Sequence, residues 1–103
     1  MVKLKVKGLK SFIDKSVGLI RAKEIIPVYF KTRFGIHTFG LNFPIDVLIL
    51  DKHNKIVKIR ENIFPNQVFF WPLIYNKVIE LPTGEIKRFN LKIDSQIVLE
   101  HTK

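Results

Sequence analysis

A histidine and an aspartate lie within one apolar, strand-like stretch of the chain, residues 35–51 (GIHTFGLNFPIDVLILD). In a strand, Asp46 shares one face with Leu48 and Leu50, so its carboxylate is predicted to point into an apolar layer. A buried carboxylate is costly unless it is hydrogen-bonded. The functional interpretation is an acid–base pair, in which Asp46 orients His37 and the imidazole acts near neutral pH.

The structural interpretation is that Asp46 accepts hydrogen bonds from backbone amides of the turn at residues 40–42. The sequence favours this role, because no serine, cysteine or second acid with a recognisable spacing supplies a nucleophile. His37 and Asp46 remain the candidate catalytic residues if the protein is an enzyme. No cofactor or metal site is predicted, since cysteine is absent and the His and Asp residues lack a compact ligand spacing.

Aromatic side chains dominate a second segment, residues 64–72 (FPNQVFFWP), which is predicted to be an irregular loop. Its rings could stack on bases or enclose an apolar ligand, or they could pin the loop to the core, which we favour for a small domain. Trp71 is predicted to be only partly buried. A ligand cleft is expected between residues 35–42 and this loop, with these candidate residues: His37, Thr38, Asn42, Asp46, Phe70 and Trp71.

The chain is strongly basic, with a formal net charge of +9 and a pI near 10.0. Such an excess attracts polyanions over about one Debye length, about 8 Å at physiological salt. Lysine-bearing strands would present a positive face if they were neighbours, although no RNP, KH, P-loop or zinc-finger pattern accompanies them. The candidate nucleic-acid residues are Lys3, Lys5, Lys7, Lys31, Arg33, Lys58, Arg60 and Trp71.

Alternation of apolar and charged residues predicts a mainly β (α+β) fold, a small compact antiparallel β-roll or barrel-like domain spanning residues 1–103. Thr83 is a predicted helix cap, and Asn54 suits positive φ in a hairpin. Strands are predicted at 2–7, 25–30, 45–50, 56–61, 78–81 and 93–100, and short helices at 12–21 and 83–89. The N-terminus alternates lysine with apolar residues, which predicts a cytoplasmic protein without membrane insertion.

Motifs along most of the chain resemble those of the domain of unknown function 192 family (uncharacterised protein family 0127). The HTFG turn at 37–40 and the PIDV strand at 44–47 resemble the family signature. VGLIR at 17–21 looks like its GLM-R turn, VIELPTG at 78–84 like its VLELPAG run, and LKIDSQI at 91–97 like its closing element, with Asp-Ser where the family has Gly-Asp. The resemblance implies a shared fold, and it points to no particular activity because none is established for that family.

Taken together, these features predict a small noncatalytic binding or accessory domain. Two alternatives stay open. The first is sequence-independent nucleic-acid binding, especially RNA binding, through a basic β surface. The second is an enzyme that uses His37 and Asp46.

Overall fold

The computed structural model describes residues 2–8, 27–33, 35–39, 41 and 43–101, and within these residues the chain forms eight strands and one short helix. The predicted helix at 12–21 and the candidate Asn42 lie outside these residues. The elements are β1 (Val2–Gly8), β2 (Val28–Lys31), β3 (Gly35–His37), β4 (Ile45–Leu50), β5 (Ile56–Ile63), β6 (Val68–Phe70), β7 (Lys77–Pro82), α1 (Glu85–Arg88) and β8 (Ile97–His101).

Six of the strands form one sheet in the order β5-β4-β7-β2-β1-β8. Neighbours from β5 to β2 are antiparallel, whereas β1 runs parallel to both β2 and β8. The remaining strands, β3 and β6, pair antiparallel with each other in a two-stranded ribbon. The mainly β, small-domain prediction is therefore confirmed.

The two outer strands of the large sheet meet at their starts. An isolated antiparallel bridge joins Lys55 to Gln96, directly before β5 and β8. The Asp94 amide donates to the Ile56 carbonyl at 2.8 Å, and Asp94 has φ 72, a left-handed conformation in the turn that enters β8. The sheet is thus curled towards a barrel, which limits the exposed edges that many short strands otherwise present.

Apolar side chains pack on both faces of this sheet. One face carries Leu48, Leu50 and Leu81 against α1, through its buried Ile86. The opposite face is covered by the ribbon and the residues that follow it. Together, this face and its cover form a core cluster with these buried residues: Val28, Phe30, Ile36, Leu41, Ile45, Val47, Ile49, Ile63, Phe69, Trp71 and Val78. All six residues of β4 are buried because that strand lies between two apolar layers.

Three local features differ from the sequence expectation or refine it. Residues 68–70 were expected in an irregular loop but form β6, since they pair with β3. The helix expected at 83–89 is present only over Glu85–Arg88. Asn54 has φ 63, as the hairpin prediction requires. None of the helices in the part of the chain that the structure describes has the length and apolar character needed to cross a bilayer.

Candidate functional site

Asp46 is fully buried and binds backbone amides from two separate segments. Its Oδ1 accepts from the Asn62 amide at 2.9 Å, and its Oδ2 accepts from the amides of Gly84 at 3.0 Å and Ile86 at 3.2 Å. These amides differ from the turn at 40–42 that the sequence suggested. The carboxylate therefore ties the end of β5 to the start of α1.

The start of α1 needs this acceptor because the first amides of a helix have no intrahelical partner. Gly84 is the N-cap residue and has φ 92, a left-handed conformation that favours glycine. As a glycine, Gly84 has no side chain with which to cap the helix. The predicted cap, Thr83, bonds instead through its hydroxyl to Asn62 Oδ1. The role predicted for Thr83 is therefore taken by a residue 38 positions before Gly84, Asp46.

His37 lies on the ribbon, away from Asp46. It pairs with Val68, and its Nδ1 accepts from the Phe39 amide at 3.3 Å. The ribbon covers the Val47 side of the sheet, whereas Asp46 lies on the opposite side with Leu48. The structure does not bring the proposed acid–base pair together.

Thr38 fastens the ribbon to the turn that precedes β6. Its hydroxyl donates to the Phe64 carbonyl at 2.7 Å and accepts from the Gln67 amide at 2.9 Å. The Thr38 amide donates to the Gln67 carbonyl at 2.9 Å. Because Thr38 is buried, this ligand-binding candidate has a structural role.

The outward side of the ribbon and its adjoining turns carries exposed apolar side chains. Phe39 is 52% exposed, Val68 53%, Phe70 50% and Phe64 58%. The Phe39 ring stacks on His37 with centroids 4.9 Å apart. We call these five residues, His37, Phe39, Phe64, Val68 and Phe70, the ribbon surface. An exposed apolar patch of this kind is typical of an interaction site.

Phe70 is held in place by close neighbours. A Cβ at Gly35, its cross-strand partner, would lie 2.6 Å from Phe70 Cδ1, so the ring packs where other residues carry a side chain. Lys58 Nζ donates to the Phe70 carbonyl at 3.2 Å and lies 5.2 Å from the centroid of the Phe69 ring. A cation is therefore fixed at the edge of the ribbon surface.

The two segments predicted to line a cleft are thus joined as neighbouring strands, and Trp71 lies beneath them. Trp71 is 4% exposed, its Nε1 donates to the Tyr75 carbonyl at 2.9 Å, and its ring lies 5.7 Å from that of Phe69. The prediction that Trp71 is partly exposed is wrong. The indole packs in the core under the ribbon, where it has a hydrogen-bond partner.

The basic candidates do not form one continuous face. Lys3, Lys5 and Lys7 lie on β1, which is between β2 and β8, whereas Lys58 and Arg60 lie on β5, which pairs with β4. The condition that the lysine-bearing strands be neighbours is not met. Lys31 and Arg33 are exposed at the end of β2 and in the bend before β3, close in the chain to the ribbon.

The pKa values of Asp51 and Tyr29 differ from the ordinary values of these groups. The pKa of Asp51 is lowered, first because the Lys55 amide donates to Oδ1 at 2.9 Å, and further because the His53 amide donates at 2.8 Å. Burial raises the pKa of Tyr29. Within the described residues, no group of three His, Asp or Glu side chains is arranged to hold a metal ion.

Sequence reasoning missed the role of Phe39 and Val68 on the ribbon surface, and the burial of a second acid, Glu80. Glu80 pairs with Val47 and Val28 and so lies on the face opposite Asp46. The burial of Glu80 could have been predicted from the same sequence pattern as that of Asp46, a single acid within an apolar strand. For Phe39 and Val68 no comparable signal exists, because exposure of an apolar residue depends on which face the neighbouring strand covers.

Comparison with solved structures shows the same fold in other proteins. A "putative transcription regulator" from Sinorhizobium meliloti 1021 has a TM-score of 0.76 at 18% identity, over 88% of this chain and 78% of its own. A protein of unknown function from Novosphingobium aromaticivorans DSM 12444 has a TM-score of 0.75 at 14% identity, over 88% of this chain and 71% of its own. No protein-family model matches the chain, and no curated protein matches its sequence.

Proposed function

We propose that this protein is a small noncatalytic binding domain and that the ribbon surface is its ligand site. The observation that carries the proposal is that Phe39, Val68 and Phe70 are each about half exposed on a ribbon whose inward residues, Ile36 and Phe69, are buried. The ribbon is anchored by Thr38, so its outer side chains are presented on a defined backbone. Binding surfaces are commonly built this way, with exposed apolar groups on a rigid support.

A noncatalytic role is supported by the surroundings of Asp46, the candidate catalytic acid. Three amide hydrogen bonds engage the Asp46 carboxylate, and the residue has no exposed surface. A general base must reach a proton of the substrate. Asp46 is instead bound within the protein, which leaves His37 on the ribbon without that carboxylate.

We further propose that the chain is a member of the domain of unknown function 192 family, which the motifs quoted above support, and that it acts in the cytoplasm. The regulator description belongs to the Sinorhizobium protein, and at 18% identity the likeness carries the fold alone. The binding proposal therefore rests on the ribbon surface of this chain.

A dye titration tests the proposal. 1-Anilinonaphthalene-8-sulfonate is an anionic aromatic probe that reports exposed apolar surface. We expect the dye to become more fluorescent when the folded protein binds it. In NMR spectra, we expect the chemical-shift changes to be centred on the amides of residues 35–39 and 68–70. The variant Val68→Ser/Phe70→Ser should lose most of the fluorescence increase while keeping a cooperative melting curve.

Phe89→Ser provides the matched control. Phe89 is 40% exposed and directly follows α1, the helix whose Ile86 packs on the face of the large sheet opposite the ribbon. The Arg88 guanidinium lies 5.1 Å from the centroid of the Phe89 ring. Like Phe70, which has Lys58 nearby, Phe89 is therefore an exposed ring with a cation beside it. Equal losses in the ribbon variant and in Phe89→Ser, or no binding by the unaltered protein, would show that the ribbon surface is not a ligand site.

A further inference from the structure

The ribbon surface presents rings in a row. On the outward side, Gly35 with Phe70 forms one cross-strand pair and His37 with Val68 the next. Successive outward positions on a strand are about 6.6 Å apart. The Phe39 ring, stacked on His37, extends the row beyond β3. Flat groups are thus spaced along one direction rather than gathered in a pocket.

The segments that build this row carry no acid. Residues 28–45 and 62–79 contain neither Asp nor Glu, although they include Lys31, Arg33 and Lys77. Of the acids that adjoin these segments in the chain, Asp46 and Glu80 are buried and Glu61 is partly exposed. The two segments themselves therefore carry only positive formal charges, in agreement with the +9 of the whole chain, and such charges favour an anionic ligand.

Cations flank the Phe70 end of the row. Lys58 is held there by the Phe70 carbonyl, a bond that uses one of the three donors of its ammonium group. Arg33 is exposed two residues before Gly35, the partner of Phe70. Aromatic rings in a row with cations beside them combine the two features that bind single strands, base stacking and backbone neutralisation.

We propose that the occupant of the ribbon surface is a single-stranded nucleic acid, an inference that rests on the proposed binding function. Bases stack on Phe70 and on the Phe39 side of the His37–Phe39 pair, while Lys58 and Arg33 contact phosphates. A duplex is disfavoured, because its bases already stack on one another and exposed rings cannot reach their faces. An apolar peptide would leave the cations without a complement.

Fluorescence anisotropy with labelled 12-nucleotide oligouridylate, oligothymidylate and a 12-base-pair DNA duplex tests this. We expect both single strands to bind more tightly than the duplex at physiological salt. Phe70→Ser should weaken single-strand binding about tenfold, since one stacked base is lost, and Phe89→Ser should leave it unchanged. Because thymine also carries a methyl group that uracil lacks, oligouridylate is further compared with oligodeoxyuridylate, which differs from it only in the 2′-hydroxyl. Tighter binding of oligouridylate than of oligodeoxyuridylate would identify RNA as the ligand, and the reverse would identify DNA.

The phosphate contacts are tested by the salt dependence. Lys58→Gln should reduce the slope of log K against log salt by about 0.7, whereas Lys87→Gln, an exposed lysine of α1, should leave the slope unchanged. An unaltered slope in Lys58→Gln would remove Lys58 from the interface and overturn the proposed arrangement.

Three outcomes would overturn the inference as a whole. One is equal affinity for duplex and single strands, which indicates diffuse charge attraction. Another is dye binding at the ribbon with no nucleic-acid binding, which leaves the binding-domain proposal standing and removes only this ligand. The third is self-association in sedimentation velocity that Phe70→Ser abolishes, which would make a second copy of the chain the occupant. Failure of both dye and nucleic acid to bind would instead remove the proposed function itself.

Discussion

The centre of the large sheet and the outside of the ribbon both contain side chains in an environment that is unusual for them, a buried acid in the first and exposed aromatic rings in the second. In the centre, the charged side chain of Asp46 is fully buried. On the ribbon, the apolar rings of Phe39 and Phe70 are about half exposed. Each is unusual for its residue type, since charged residues are mostly exposed and large apolar residues mostly buried.

The difference between these regions lies in how much of the unusual group the fold encloses. The Asp46 carboxylate has three amide donors, so its burial is explained by the fold. The rings of Phe39 and Phe70 have neighbours as well, His37 and Gly35, but about half of each remains in contact with solvent. We infer that Asp46 serves stability, whereas the ribbon surface is available for binding.

Asp46→Asn should have the largest effect on stability and would test the structural half of the comparison. The neutral amide accepts at only one position and brings donors towards amides that already donate. We expect the free energy of unfolding to fall by about 2 to 4 kcal/mol, measured by urea denaturation. Asp51→Asn, in the exposed turn after the same strand, is the control and should change it much less. Equal stability of Asp46→Asn and the unaltered protein would contradict the role assigned to Asp46.

Gly35→Ala should have an intermediate effect and tests how tightly the ribbon is built. The new Cβ would lie 2.6 Å from Phe70 Cδ1 and 2.8 Å from the Phe69 carbonyl oxygen. We expect a loss of about 1 to 3 kcal/mol in the free energy of unfolding, as for other overpacked sites. In a Phe70→Ala background the same substitution should cost less, because the ring is gone, but still something, because the carbonyl remains. An identical cost in both backgrounds would show that Phe70 does not pack on Gly35.

Asp51 should contribute the smallest effect, visible only as a pH dependence. Its folded-state pKa is lowered, chiefly by the Lys55 amide, so its carboxylate stabilises the fold at pH values above its unfolded pKa. That contribution is lost as the pH falls through the folded pKa. The melting temperature of Asp51→Asn should therefore lie slightly below that of the unaltered protein at neutral pH, and the difference should shrink at acidic pH. A difference that is constant with pH would mean that the charge of Asp51 is not involved.

Most of the β elements could be predicted from the sequence, because their apolar periodicity is local. The burial of β4 on both faces follows from its unbroken run of apolar residues around Asp46. The short strand β6 could not be predicted in this way, because only pairing with β3 makes Val68–Phe70 extended. The burial of Trp71 could not be predicted for the same reason, since the ribbon that covers it forms only when β3 pairs with β6, and these two strands are far apart in the sequence.

The candidate site shows the same division. The sequence pointed to residues 35–42 and 64–72 and to Phe70 and His37 within them, because their aromatic and titratable types are unusual in such runs. It also indicated a structural role for Asp46. Which amides Asp46 binds depends on the approach of Asn62 and Gly84, 16 and 38 residues away in the chain, and no local pattern encodes that approach.

By itself, the sequence determined the positive charge, the absence of cysteine chemistry, the periodicity of the strands and the presence of a lone acid in β4. The tertiary structure alone decided that Asp46 binds the start of α1, that Trp71 is buried, and that Phe39, Val68 and Phe70 face outward. The physical reason is the range of the interactions. Periodicity and charge are properties of neighbouring residues, whereas burial and hydrogen-bond partners depend on which strands pair and which face each pair covers.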